Sequence, residues 1–158
     1  STYGKVESTR NYISAVVSYA FNTTFHNITN YAEIKGGNGV GGVVSILEQN
    51  GRTSDNLVNY GKVTATGWLI GGIVGKHGGN LKDSTNWGTC IFNGDGNSGG
   101  IAGGSQDQAS WAGTLTNCNN YGTLYKTKAQ IVGNLSNQIK LVNCGEYGVI
   151  TTTLPTEE

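Results

Sequence analysis

The chain has no methionine, one proline and few charges, since only 13% of its 158 residues are charged, against about 25% usually. Its ten basic and ten acidic residues balance, which argues against a nucleic-acid partner or an anionic membrane surface. No apolar run approaches the ~20 residues that cross a bilayer, so we expect no membrane insertion. Helix-favouring residues are scarce, which argues against a mainly helical fold.

The missing methionine leads us to expect a processed chain or a piece of a longer array. We interpret residues 1–150, which hold the repeats described below, as one domain. Residues 151–158 follow the last repeat and contain the single proline, Pro155. We expect a linker or frayed terminus there.

One short phrase occurs six times: an aromatic residue, usually a small residue, one spacer and an apolar residue. The steps between successive aromatic residues are 28, 29, 27, 34 and 26 residues. Such a period is typical of stacked repeat proteins, in which each unit buries its apolar side against its neighbours. The copies are Tyr3-Gly4-Lys5-Val6, Tyr31-Ala32-Glu33-Ile34, Tyr60-Gly61-Lys62-Val63, Trp87-Gly88-Thr89-Cys90, Tyr121-Gly122-Thr123-Leu124 and Tyr147-Gly148-Val149-Ile150.

Two further elements recur in each period. An apolar phrase, usually with a Gly-Gly pair, begins 9 to 11 residues after the aromatic residue, and a short run ends the unit. The apolar residues are small or β-branched, and Gly or Asn ends each run, which favours strands. We therefore predict an all-β fold, a β-solenoid of about five coils with a period of 26–34 residues. The clearest copies of the second phrase are Val40-Gly41-Gly42-Val43-Val44, Ile70-Gly71-Gly72-Ile73-Val74-Gly75 and Ser98-Gly99-Gly100-Ile101-Ala102-Gly103.

Together, the Asn-Tyr-Gly-x-Val and Ile-Gly-Gly-Ile-Val-Gly patterns resemble the GLUG repeat, named for its Gly-Leu-x-Gly signature. The closest matches are Gly72-Ile73-Val74-Gly75 and Gly100-Ile101-Ala102-Gly103, each with Ile in place of Leu. The resemblance covers residues 2–150 and is strongest from 59 to 122. It implies a surface or secreted bacterial protein, because such repeats occur there, including in non-catalytic regions of some immunoglobulin A proteases.

The candidate ligand-binding residues are the aromatic residues Tyr31, Tyr60, Trp87 and Tyr121. Strand alternation places the apolar residues three before and three after each ring on one side and the ring on the other. That predicts an exposed column suited to stacking on sugars. Alternatively, the Asn before each ring adopts the left-handed conformation at a corner, and the rings turn into the core. We favour this second interpretation, because a long exposed aromatic stripe invites aggregation.

Cys118 and Cys144 both stand three residues before an aromatic residue, so they should lie one above the other. A strand spacing of about 4.8 Å is within the Cα range of disulfides. We favour free, buried thiols over a disulfide, because stacked side chains rarely point at each other. Cys90 is expected to act as a small core residue.

No catalytic or metal-binding constellation is recognisable. His26 and His77 are 51 residues apart with no Glu or His nearby, so the zinc-protease pattern His-Glu-x-x-His is absent, and we interpret both as surface or turn residues. The run 93–99 resembles a calcium loop but lacks its required glycine and glutamate, which favours a turn. Four aspartates fall at different distances from the rings and form no acidic column: Asp55, Asp83, Asp95 and Asp107.

Three functional hypotheses follow. The first is a non-enzymatic extracellular structural or adhesion module without cofactor, whose partners are glycans or host and cell-surface proteins. The second is a carbohydrate-binding module that uses the aromatic column. The third, which we favour least, is a β-helix enzyme acting on polysaccharides. In all three, unpaired strands at the ends of a solenoid allow end-to-end self-association.

Overall fold

The computed structural model describes residues 1–105 and 108–155 and confirms the β-solenoid. The chain winds through about five coils, and each strand pairs in parallel with its equivalents in neighbouring coils. The described residues contain no α-helix, only a 3-10 turn at Ala109–Trp111. Within the same residues, no helix has the length and apolar character needed to cross a membrane.

The strands, numbered in chain order, form three sheets. The sheet that follows the aromatic residues contains β1 (Lys5–Glu7), β4 (Glu33–Gly36), β7 (Val63–Ala65), β11 (Cys90–Phe92), β16 (Thr123–Tyr125) and β19 (Val149–Thr151). The short sheet of the Gly-Gly phrase contains β5 (Val40–Gly41), β8 (Leu69–Gly71) and β12 (Asn97–Gly99). The largest sheet contains β2 (Val17–Phe21), β3 (His26–Asn30), β6 (Val44–Asn59), β9 (Val74–Lys82), β10 (Thr85–Asn86), β13 (Ala102–Gly104), β14 (Gly113–Thr116), β15 (Asn119–Asn120), β17 (Ile139–Val142) and β18 (Gly145–Glu146).

The predicted stacking of the repeated phrases is confirmed by the register. Val63 pairs with Ile34 in the coil before and with Cys90 in the coil after. The Gly-Gly phrases stack in the same way, since Gly71 pairs with Gly41. Equivalent residues of successive coils therefore form columns along the solenoid.

The interior holds two clusters of buried apolar side chains, both built from these columns. The larger cluster includes Leu47, Ile73, Leu81, Ile101 and Leu115. The smaller cluster includes Ile34, Val40, Val63, Ile70 and Phe92. A narrow core of this kind needs few apolar residues, because each one contacts its equivalents above and below.

The longest step, 34 residues, contains an insertion that leaves the stack in register. The insertion includes the 3-10 turn, and the Trp111 ring lies over Gly78, where a Cβ atom would be 2.7 Å from the ring. After the insertion the pairing resumes, with Leu115 opposite Leu81. The 3-10 turn therefore packs against β9 without shifting the register of the coils.

Some sequence-based predictions concern the turns and the chain end. In the run 93–99, the last three residues form β12, and the preceding ones form a bend. β19 ends at Thr151, where the predicted tail begins. Asp107 and residues 156–158 lie outside the described residues.

The interpretation of the two histidines as surface or turn residues is correct for His26 and wrong for His77. His26 is exposed and lies 2.9 Å from the Asp55 carboxylate of the next coil. His77 is buried in β9, opposite Leu47 of the preceding coil. Its Nε2 atom is 3.1 Å from the Gly79 carbonyl oxygen, and its Nδ1 atom has no protein partner.

We expect the His77→Leu variant to lose much less of its free energy of unfolding at acidic pH than the wild type does. Burial lowers the pKa of His77 to about 4 from its usual value of 6.5, against the opposing effect of the Gly79 hydrogen bond. Between pH 6.5 and about pH 4, His77 is therefore protonated in the unfolded chain but neutral in the folded chain. The free energy of unfolding falls as the pH is lowered through this range. This pKa shift corresponds to a loss of about 3 kcal/mol in the free energy of unfolding.

Urea unfolding at pH 7 and pH 4.5 checks this prediction. Leucine suits the site because Leu47 occupies the equivalent position one coil earlier. His26→Gln is the matched control and should lose stability with acid as the wild type does. If His77→Leu and the wild type lose stability in parallel, His77 is not the responsible group.

Candidate binding surface

A column of buried asparagines lies directly beneath the aromatic residues. It consists of the residues that precede four of the rings, and all four are fully buried: Asn30, Asn59, Asn86 and Asn120. Each Nδ2 donates to the Oδ1 of the next asparagine, at distances of 2.8 to 2.9 Å. We call this column the asparagine ladder.

Each amide of the ladder also holds the turn that carries the ring. Asn59 Nδ2 donates to the Gly61 carbonyl oxygen at 2.9 Å, and Asn59 Oδ1 accepts from the Gly61 N–H at 3.1 Å. Asn30 and Asn86 make the equivalent contacts with the residues two places after them. The buried amides are thus satisfied both along the solenoid and within each coil.

The ladder is closed at both ends by other side chains. At the first coil, Thr2 Oγ1 donates to Asn30 Oδ1 at 2.6 Å. At the last coil, Asn120 Nδ2 donates to Gln130 Oε1 at 2.7 Å, and Gln130 Nε2 donates to the Gly148 carbonyl oxygen. Gln130 therefore takes the place that a further asparagine would have. Sequence reasoning missed this role, because Gln130 belongs to the second phrase and not to the first.

The ladder explains why both repeated phrases contain glycine. A Cβ atom at Gly72, in the Gly-Gly phrase, would lie 2.5 Å from Cγ of Asn86. One at Gly88, after the ring, would lie 2.7 Å from Nδ2 of Asn59. The two phrases thus meet across the interior at the asparagine amides, and a Cβ atom at Gly72 or Gly88 would lie too close to them.

A second column marks the corner before each ring. Its members stand four residues before the ring and all have positive φ angles, between 49° and 58°. Asn and Asp tolerate this left-handed conformation better than other non-glycine residues. The members are Asn27, Asn56, Asp83, Asn117 and Asn143.

The rings point outward, so the favoured sequence interpretation, rings turned into the core, is wrong. Tyr31, Tyr60, Trp87 and Tyr121 have exposed fractions between 40% and 48%. The preceding asparagines are not the left-handed residues, because the corner lies three residues earlier. Alternation therefore continues unbroken through the ring: the asparagine before it and the glycine after it both point inward.

The exposed rings form one continuous stack, which we call the aromatic column: Tyr3, Tyr31, Tyr60, Trp87, Tyr121 and Tyr147. Successive ring centroids are 5.0, 5.1, 6.4, 4.1 and 4.8 Å apart, and the planes differ by 5° to 17°. Neighbouring rings therefore stack along the column, most closely between Trp87 and Tyr121 and with the widest separation between Tyr60 and Trp87. Only the two end rings, Tyr3 and Tyr147, have an outer face without a ring neighbour in the column.

Charged side chains lie beside the first coils of the column. Glu7 bridges two lysines, with its carboxylate oxygens 2.8 Å from Lys5 Nζ and 2.6 Å from Lys35 Nζ. These lysines lower the pKa of Glu7 to about 2, with Lys35 making the larger contribution. Further along, the equivalent positions beside the rings carry Thr89 and Thr123. The surface thus changes from ion-paired to neutral along the solenoid.

Two of the aspartates take part in contacts between neighbouring coils. Asp55 lies beside His26, and Asp83 Oδ1 accepts from Asn117 Nδ2 at 2.8 Å. Among residues 1–105 and 108–155, no group of three or more His, Cys, Asp or Glu is placed to hold a metal ion.

The predicted proximity of the two cysteines is confirmed. Asn119 and Gly145, the residues that follow Cys118 and Cys144, pair in register, and both thiols are free. Cys118 is buried, whereas Cys144 is only partly buried. Cys90 is fully buried in the apolar column, as predicted, and burial raises the pKa of its thiol to about 12.

Comparisons with known proteins leave the family open. No family model matches the chain, so the GLUG resemblance stays a prediction. No curated protein and no solved structure matches it either.

Proposed function

We propose that this chain is a non-enzymatic structural and adhesion module whose contact surface is the aromatic column. The observation that carries the proposal is the unbroken stack of six exposed rings above the asparagine ladder. A surface or secreted location in a bacterium belongs to the proposal through the GLUG resemblance alone.

The column has the properties of an interaction surface. Contiguous exposed apolar surface on a soluble protein marks contact sites, and Tyr and Trp are enriched among the residues that dominate protein interfaces. The rings are also held in place, because each one stacks on its neighbours and the four inner rings follow a buried, hydrogen-bonded asparagine. Binding therefore orders few side chains, which lowers its entropic cost.

We propose a protein surface as the partner, in preference to a glycan. Stacking on a sugar needs an open ring face, and the inner rings of the column cover one another's faces. All six rings together form a ridge, five strand spacings or roughly 24 Å long, that suits a shallow groove on another protein. In the carbohydrate-binding alternative, a sugar would stack on the outer face of Tyr3 or Tyr147, because these two faces have no ring neighbour.

End-to-end self-association is part of the proposal. The two terminal coils expose apolar side chains at positions that are buried in the inner coils: Val6 at one end, and Ile150 at the other. Strand edges with exposed apolar residues favour pairing with another chain.

Replacing Tyr31, Tyr60 and Tyr121 with serine is expected to reduce adhesion at least tenfold. The probe is a fluorescent bead coated with the chain and applied to cultured epithelial cells, with bound beads counted after washing. The matched control replaces Tyr19 and Trp68, which are exposed at 53% and 59% but lie outside the column. Circular dichroism verifies that both variants keep the β-solenoid.

Pretreatment of the cells separates the partner classes. Protease treatment of the cells should abolish binding, and glycosidase treatment should leave it intact. The reverse result would favour the carbohydrate-binding alternative. If the triple variant adheres as well as the control, the aromatic column is not the contact surface.

A further inference from the structure

Cys118 and Cys144 form a pair of thiols across the last two coils. The Gly145 N–H donates to the Cys118 carbonyl oxygen at 3.2 Å, which fixes the two residues one above the other. A strand spacing of about 4.8 Å lies inside the 4.4–6.8 Å Cα range of disulfides. Bond formation requires the Cys118 side chain, whose Sγ lies against the Leu81 carbonyl oxygen of the preceding coil, to rotate toward Cys144.

The two thiols differ in access. Cys118 is fully buried, and its Sγ lies 3.5 Å from the carbonyl oxygens of Leu81 and Thr116. Cys144 is partly exposed on the last coil, and its Sγ lies 3.3 Å from the Leu115 carbonyl oxygen. Leu115 belongs to the coil of Cys118, so the Cys144 sulfur leans toward its partner.

The two thiols also differ in acidity. The interaction with the Cys118 side chain lowers the pKa of Cys144. The same interaction, with burial, raises the pKa of Cys118. Because the thiolate is the attacking species in thiol–disulfide exchange, Cys144 is the more reactive of the two.

We propose that Cys144 and Cys118 form a thiol-oxidation site, in which Cys144 attacks a small-molecule disulfide and Cys118 resolves the product into a disulfide between the coils. The Cys144 thiolate attacks one sulfur of glutathione disulfide, forms a mixed disulfide and releases one glutathione thiolate. Cys118 then gives its proton to that thiolate or to solvent and attacks the Cys144 sulfur, which releases the second glutathione. Two protein thiols are oxidised, and one glutathione disulfide is reduced to two glutathione molecules.

The disulfide would fasten the last coil to the stack. It closes a loop between residues 26 apart in sequence, and such a link disfavours the unfolded chain. We expect the oxidised protein to melt about 5–10 °C higher than the reduced protein. The terminal coil, which has a neighbour on one side only, gains most from this link.

Peptide mass mapping of the native protein after incubation with glutathione disulfide tests the proposal. The expected product carries one Cys118–Cys144 disulfide and an unmodified Cys90, the matched buried control. Cys118→Ser should accumulate a stable glutathione adduct at Cys144, whereas Cys144→Ser should leave Cys118 at least tenfold less reactive. Serine fits this column, because Ser84 occupies the equivalent position one coil earlier.

Three results would overturn the proposal. They are an unreactive wild type, a wild-type adduct that does not resolve to the disulfide, and a Cys144→Ser variant whose Cys118 reacts as fast as before. Wild-type mapping needs no variant, so it decides the question even if a substitution prevents folding.

Discussion

Asn59→Ala is expected to lower the free energy of unfolding by about 4 kcal/mol. The substitution removes four hydrogen bonds made by one fully buried amide. It leaves Asn30 Nδ2, Asn86 Oδ1 and the Gly61 backbone groups without these partners inside the solenoid. Each buried polar group left unsatisfied costs about 1–3 kcal/mol.

The matched control for this prediction is Asn56→Gly. Asn56 also belongs to a stacked column, and its Nδ2 donates to Asn27 Oδ1 at 2.8 Å, but this contact is exposed. Glycine accepts the φ of 51° at this corner, so the change should stay within about 1 kcal/mol. Urea unfolding followed by circular dichroism compares the two variants. If both variants lose the same free energy of unfolding, burial is not the reason why the asparagine ladder stabilises the protein.

Gly88→Ala is expected to destabilise the protein by about 3 kcal/mol or more. The added methyl group would collide with the Gly61 carbonyl oxygen of the preceding coil and with Asn59 Nδ2. The first of these atoms belongs to the backbone and cannot rotate away. Relief requires the two coils to separate, which weakens the hydrogen bond from the Trp87 N–H to the Asn59 carbonyl oxygen, now 2.8 Å long.

Gly104→Ala provides the contrast. Gly104 is also a buried strand glycine, but the closest atom to an added Cβ is the Asn134 side chain at 3.2 Å, and no backbone atom is nearer than 3.7 Å. We expect a change within about 1 kcal/mol, because the gain from replacing a strand glycine offsets the tight contact. Melting temperatures of the two variants test this. A Gly88→Ala protein as stable as Gly104→Ala would mean that the coils are not packed as closely as described.

The period of the repeat was enough to predict which residues stack. A parallel coil of nearly constant length returns to the same register, so counting from each aromatic residue placed Val63 between Ile34 and Cys90 and Cys118 beside Cys144. The longest step did not disturb the count, because pairing resumes in register after it, with Leu115 opposite Leu81. The spacing of the repeats and the glycine and asparagine residues that end each run were therefore enough to predict the all-β solenoid.

The direction of the rings could not be read in the same way. Inward and outward rings both agree with local preferences, and the choice depends on which residue takes the corner. The left-handed residue is four places before the ring, at Asn56 in the third copy, and not directly before it at Asn59. Only the hydrogen bonds of Asn59 with asparagines 29 and 27 residues away reveal that the interior is occupied by amides.

His77 illustrates the same limit on sequence-based prediction. Its neighbours Gly78 and Gly79 suggest a turn, whereas Leu47 one coil earlier and Trp111 from the insertion reveal a strand in the core. The reactivity assigned to Cys144 likewise depends on Cys118, which is 26 residues away in the sequence. Neither environment is visible from adjacent residues.

The sequence by itself determined the winding and the columns, because these follow from spacing along one chain. The tertiary structure decided what each column does: amides inside, rings outside, one thiol covered and one accessible. The physical reason is that burial and hydrogen-bond partners are set by groups in other coils and on the opposite wall. Those contacts exist only once the coils have stacked.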